Sequence, residues 1–453
     1  MKIAFIGGGS LRLLPILRGV MSDSPEIFNH GDLRFIDLKQ DRAEAVAAMV
    51  KASPEFSGIV NCKVSCPSTE EGLKDIDILY LTMAARREPQ NSQSLILAHE
   101  YGFYSNDQLT ISGAFLSIRL GNIILDLAKK LERLSPKALM LIFPNPVAVY
   151  SALVNNYTKI KAIGICGGFN NHRWDLTRAL LHRNEYDPEW DVVAAGINHM
   201  SFILRGNYKG EDLYSSLCPR VFTDDWEPLP GSELVTNVLY QCYKKYGTMI
   251  FSTEFDGLAK IFPDLIHDLT EKQMQASQPF DPVLCEERWK NKIETKFRSF
   301  MRTAENPGNL DWDAPENREL YGKNLRDISL PIFKAVAGMK TMRIVASAPS
   351  RGAIADFPSH WAAEYTMDIC GKELIPVKDQ YIPEPFYGLT ASLSEHQTLL
   401  ARAIAERSPE VFALALEAYP IRRFTGKRNE FYRRMFDLYQ DLDPEIMKAK
   451  NFF

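Results

Sequence analysis

The chain opens on a strand that runs straight into glycine: KIAFI at 2–6 is followed by Gly7-Gly8-Gly9-Ser10. A lone glycine cluster is weak evidence, because Gly-rich turns are common, and its setting gives it weight. A short strand, a glycine turn and a helix (here Leu11 to Val20) form the unit in which backbone N–H groups approach a pyrophosphate at a helix N-terminus. Arg12 stands where the usual G-x-G-x-x-G pattern has its third glycine, and an ordinary strand-to-helix turn is the competing reading. A second strand, LRFID at 33–37, ends in Asp37, which can bind ribose hydroxyls. A carboxylate there repels a 2′-phosphate, so the two features together predict NAD rather than NADP. Gly7, Gly8, Gly9, Ser10 and Asp37 are the expected cofactor contacts, although Asp37 alone reads equally well as a helix cap or turn residue.

The same alternation continues downstream. Helix-like Ala43 to Ala52 is followed by strand-like IDILYLT at 76–82, a helical apolar spacing over 111–134, and strands ALMLIFPNP at 138–146 and IKAIGIC at 160–166. Strands alternating with helices predict a doubly wound parallel sheet of the Rossmann type. After about residue 190 the texture changes. VVAAGINHMSFIL at 192–204 reads as a strand pair or a bent strand, 232–302 is mostly helical, 341–349 returns to strand, and helical patterns dominate 392–442. The expected organisation is a dinucleotide domain over 1–190 and a mixed α+β domain over 191–453 for substrate, metal and oligomer contacts, as in lactate and malate dehydrogenases. A length of 453 residues allows two or three domains.

Charge and composition exclude several classes. A net charge of −4 gives no nucleic-acid footprint, and no apolar run approaches the ~20 residues of a bilayer span. The first residues enter a strand at once, leaving no room for a signal peptide, so a cytoplasmic protein is expected. Seven cysteines, an odd number without a CxxC pair, fit free thiols.

Three segments carry the remaining chemistry: Asn145-Pro146 after a buried strand, Cys166 at the end of the next, and Asn198-His199 in a strand-like stretch. Ligands of doubly wound sheets bind at the carboxyl ends of strands, so Cys166 and His199 can converge there. A thiolate with an imidazole suits a divalent Mn, Fe, Co or Ni ion with positions open to substrate oxygens. Taken singly, a cysteine at a strand end is usually a small buried hydrophobe, and a lone histidine a satisfied core residue.

Nearly end to end, the chain resembles glycoside hydrolase family 4, the glycosidases that use NAD and a divalent metal. The matching segments are IAFIGGGS at 3–10, FPNP at 143–146, AIGIC at 162–166, GINHMSF at 196–202, PSRGAIADFP at 349–358, AAEY at 362–365 and PEPFYGL at 383–389. KYG at 245–247 before an acidic cluster places it nearest the α-glucosidase and α-galacturonidase branch. The resemblance implies that Cys166 and His199 bind the metal, with manganese expected. It puts Asn145 near both cofactor and substrate and Asn198 near substrate. Three stretches depart from the family pattern: Gly167-Gly168 after the cysteine, where a histidine or other polar residue is usual, Thr110-Ile111-Ser112-Gly113, and Ala84 to Glu88.

The implied chemistry is a redox-assisted elimination, outside the two-carboxylate scheme of most glycosidases. NAD takes hydride from C3 of the sugar, a base removes the acidified C2 proton, the aglycone leaves C1, water adds, and the hydride returns. By resemblance Asp256 is the preferred C2 base, with Tyr246, Tyr243 and Glu254 as alternatives. His172 or Asp175 stands in as acid for the leaving group. Arg87, with Arg86 and Arg351, is a candidate substrate contact. The expected partners are a small glycoside and further copies of the chain, as dimer or tetramer, with no nucleic acid or membrane. A 2-hydroxyacid or sugar dehydrogenase is the alternative enzyme, and a catalytically silent NAD-binding sensor the non-enzymatic one. A dehydrogenase would accumulate NADH and need no Cys–His metal pair.

Overall fold

A computed structural model describes residues 1–84, 90–103, 108–252, 255–264, 282–420 and 426–453, without the side chains of 168–171, 255, 256, 259 and 282–290. The early apolar runs form β1 (Lys2–Ile6), β2 (Asp32–Ile36), β3 (Lys63–Ser65), β4 (Ile78–Leu81), β5 (Leu139–Ile142) and β6 (Lys161–Gly164). All pair in parallel, in the order β3-β2-β1-β4-β5-β6 of a Rossmann-type sheet. β4 and β5 are buried along their whole length, which is why ILYL and LMLI are continuously apolar rather than alternating.

The sheet does not stop at β6. β7 (Trp190–Ile197), β8 (Met200–Tyr208), β9 (Glu211–Asp212), β10 (Met249–Ser252), β11 (Met342–Pro349), β12 (Ala362–Cys370) and β13 (Glu373–Pro376) extend it with antiparallel pairings. Two strands from late in the chain, β11 and β12, lie between β6 and β7, with Ser347 opposite Gly164 and Glu364 opposite Gly196. The ends of β6 and β7 therefore sit at one seam although the two strands are not paired.

Helix α1 (Leu13–Asp23) follows the glycine turn and carries a fully buried arginine. Arg18 donates from Nε and Nη2 to the two Glu55 oxygens at 2.7 Å each and from Nη1 to the carbonyls of Trp312 and Tyr321. Burial alone would raise the Glu55 carboxyl, but the hydrogen bonds and charge of Arg18 outweigh it and hold the group below its ordinary value. The expectation that no apolar run approaches a bilayer span is corrected by helix Ile111–Leu134, which is long and apolar enough to cross a membrane, although 78% of its apolar window is buried inside the fold. Helix Tyr387–Glu406 packs on it, and Phe115 stacks on Tyr439 at 5.2 Å, which makes it a core helix. Among the described cysteines, all are free thiols.

Candidate active site

The glycine turn is shaped by close backbone approach. Gly7 has φ +82°, and a Cβ there would lie 2.7 Å from the Met83 nitrogen; a Cβ on Gly8 would lie 2.6 Å from the Ile36 nitrogen. Both glycine N–H groups donate to the Ile36 carbonyl, and Ser10 N–H donates to the Gly7 carbonyl. Asp37 stands just past β2. Its Oδ2 accepts the Gly9 N–H at 2.9 Å and its Oδ1 accepts the Lys39 N–H at 2.9 Å, so its carboxylate braces both the turn and the start of helix Gln40–Ala52. The N–H groups of Leu11 and Arg12, at the mouth of α1, have no acceptor among the described residues, and both residues line a cleft of about 490 Å³.

Arg12 has a structural explanation. Its guanidinium lies 3.4 Å from the centre of the Phe143 ring and donates to Asp327 Oδ2 at 2.8 Å. Asp327 Oδ1 in turn accepts from Ser329, whose hydroxyl meets the Tyr80 hydroxyl at 3.0 Å. Full burial pushes the Tyr80 phenol far above its ordinary value, so it serves as a neutral hydrogen-bonding group. Arg12 thus fastens the FPNP stretch and the 319–327 segment to the glycine turn. The cleft runs from Arg12 past Trp174 and Arg326 to Gly167, the neighbour of Cys166.

The seam brings the two candidate ligands together. Cys166 lies two residues beyond β6, and His199 lies in the turn between β7 and β8; Sγ and Nε2 are 3.5 Å apart. Of the two readings of 192–204, the strand pair holds: Asn198-His199 are the turn between β7 and β8, and His199 adopts φ 69°, a left-handed conformation. Asn145 precedes a cis proline at the carboxyl end of β5 and is half-buried.

The remaining candidates fall as follows. His172 is buried on helix Gly168–Leu181, its ring flat against Phe251 at 4.2 Å, with Nδ1 3.4 Å from Asp175 Oδ2. Tyr246 ends helix Glu233–Tyr246, half-buried, edge-on to Phe386 at 4.8 Å. Tyr243 belongs to a different aromatic cluster, with Phe222 and Tyr214, and burial raises its phenol. Arg351 is exposed and tied by Nη2 to the Asn155 carbonyl. Arg86, Arg87, Glu254 and the side chain of Asp256 lie outside the described residues.

Sequence reasoning gave no role to Glu364, the acid of AAEY. It is buried in β12 and accepts from Asn198 Nδ2 at 2.7 Å, Ser201 Oγ at 2.7 Å and Ser347 Oγ at 3.4 Å. A charged residue inside the otherwise apolar run AAEYTM was the signal that could have found it.

Comparison with known proteins agrees with this architecture. Residues 2–181 match the model of "Family 4 glycosyl hydrolase" and residues 194–421 that of "Family 4 glycosyl hydrolase C-terminal domain". An α-galactosidase of Bacillus subtilis is 24% identical over 425 residues, 90% of either chain. An α-galacturonidase of Thermoanaerobacter italicus is 22% identical over 460 residues, 96% of either chain. The solved structure of a 6-phospho-α-glucosidase from gut microorganisms, in complex with NAD and Mn2+, superposes with a TM-score of 0.76 at 17% identity, covering 97% of this chain and 98% of the other.

Proposed function

The chain belongs to glycosyl hydrolase family 4, and from that premise we propose that it cleaves its glycoside with an NAD held at the glycine turn and a divalent ion, manganese first, held by Cys166 and His199. The residues present fit both groups. The Leu11 and Arg12 N–H groups offer free donors at a helix N-terminus, the place a pyrophosphate occupies. Asp37 sets a negative charge at the end of β2, which favours NAD over its 2′-phosphorylated form. Cys166 Sγ and His199 Nε2 are separated by 3.5 Å, close enough for one divalent ion to be held by both. That distance is the single observation carrying this reading.

When bound, the dinucleotide would supply a hydride acceptor for C3 of the sugar and the ion a Lewis acid for the C3 oxygen, together making the C2 proton acidic. Asp256 takes that proton in this reading, with Tyr246 as the other base. Asn145 and Asn198, at the ends of β5 and β7, orient sugar hydroxyls, and Arg87 is a further substrate contact in this reading. His172, with Asp175 beside Nδ1, is the proton source for the departing aglycone. Water then adds at C1 and C3 is reduced again, so the cofactor turns over without net change.

Cleavage of aryl glycosides and uronides, with and without a 6-phosphate, tests the proposal. Activity should require both NAD and Mn2+ and leave NADH absorbance flat. Cleavage that survives removal of the dinucleotide, or steady accumulation of NADH, contradicts it.

A further inference from the structure

Glu364 sits in an unusual electrostatic position. Its carboxylate is only 8% exposed and lies in the middle of the sheet, opposite Gly196 on β7 and next to β11. All its partners are neutral: the Asn198 amide and the hydroxyls of Ser201 and Ser347. Among the described residues, no Lys, Arg or His pairs with it. Burying a carboxylate without a counter-charge is unfavourable, and neutral donors offset only part of that.

The partners themselves point to what the charge is for. Asn198 and Ser201 flank His199, whose backbone is left-handed, so Glu364 grips the β7–β8 turn on both sides of the histidine. Ser347, the third donor, stands opposite Gly164, two residues before Cys166. The carboxylate therefore lies at the seam between the two strand ends that carry the thiol and the imidazole.

We infer that Glu364 is a positioning residue for the metal pair: it orients His199 through Asn198 and Ser201, and its uncompensated charge draws a divalent cation to Cys166 and His199. This rests on the metal reading above. In the metal-free protein the carboxylate is a local source of instability, and the bound cation relieves it.

The test is Mn2+ titration by calorimetry with thermal unfolding, on the full chain without substrate. Glu364→Gln keeps the shape and removes the charge. It should weaken Mn2+ binding by about 10–100-fold, as loss of an outer-shell partner does. The metal-free protein should unfold no earlier than the parent, and the rise in Tm on adding Mn2+ should shrink. Glu364→Asp keeps the charge and should bind Mn2+ close to the parent. Parent-like Mn2+ binding by Glu364→Gln overturns the inference, as does a lowered metal-free Tm with an unchanged Mn2+ response, which marks a purely structural role. Weak binding by Glu364→Asp overturns it too, and this variant decides the matter if the Gln protein does not fold. A parent chain that binds no Mn2+ overturns the Cys166–His199 reading together with this one.

Discussion

The glycine turn and the β6/β7 seam are built in opposite ways. The turn is mostly local: Gly7 to Ser10 and Asp37 lie within one βαβ unit and most of their hydrogen bonds close between β1 and β2, while Arg12 reaches out to Phe143 and Asp327. The seam is assembled from afar. Cys166, His199, Ser347 and Glu364 come from four strand ends or strand interiors, and they meet only because β11 and β12 insert between β6 and β7. The glycine turn is thus written in a few dozen residues, while the groups around Cys166 and His199 are supplied by distant parts of the sheet. Each region can be broken without the other, and that separability is open to experiment.

The largest effect is expected at the seam. Cys166→Ser or His199→Ala should abolish turnover while NAD binding, measured by calorimetry, stays near the parent value, because neither side chain touches the glycine turn. A joint loss of NAD binding would show that the two regions are not independent.

On the other side, Arg18 fastens α1 to the 312–321 segment, and Arg18→Met leaves Glu55 buried with only Lys323, 3.2 Å away, as a cation. Removing one partner of such a pair costs about 3–5 kcal/mol. A chemical denaturation midpoint should fall accordingly, and an unchanged midpoint would mean that Lys323 replaces Arg18 fully.

A smaller effect lies in the C-terminal helices, remote from both regions. His396 is fully buried, its Nδ1 at 2.7 Å from the Ala415 carbonyl, and burial pulls it down to about 4 from an ordinary 6.5. The folded state thus binds fewer protons than the unfolded chain between those values. Its contribution is complete above the unfolded value and is lost as pH falls from about 6.5 toward 4, at no more than roughly 1.4 kcal/mol per pH unit. The Tm of His396→Gln should depend less steeply on pH across that window, and equal slopes for the two proteins would refute this.

The contrast between the regions also explains what could be read in advance. The turn, the parallel sheet and helix Ile111–Leu134 follow from runs of adjacent residues, so periodicity and glycine placement reveal them. β3 escapes notice because KVS is three residues long and mostly exposed. The strand pair over 192–204 is legible, but the left-handed turn at His199 is not, since two residues between apolar strands leave no wide polar gap. Glu364 is unassigned because its Asn198 and Ser201 partners are 166 and 163 positions away, a pairing that only the inserted β12 creates.

The central claim is that both regions act on one sugar, the turn through the dinucleotide at C3 and the seam through acidity at C2. Running the reaction in D2O and reading the released sugar by NMR tests this most directly. Deuterium at C2, with none at C3, is the predicted result: the C2 proton exchanges with solvent while the hydride returns to its own carbon. A released sugar carrying only hydrogen at C2, from an enzyme that still cleaves the glycoside at full rate, would contradict it.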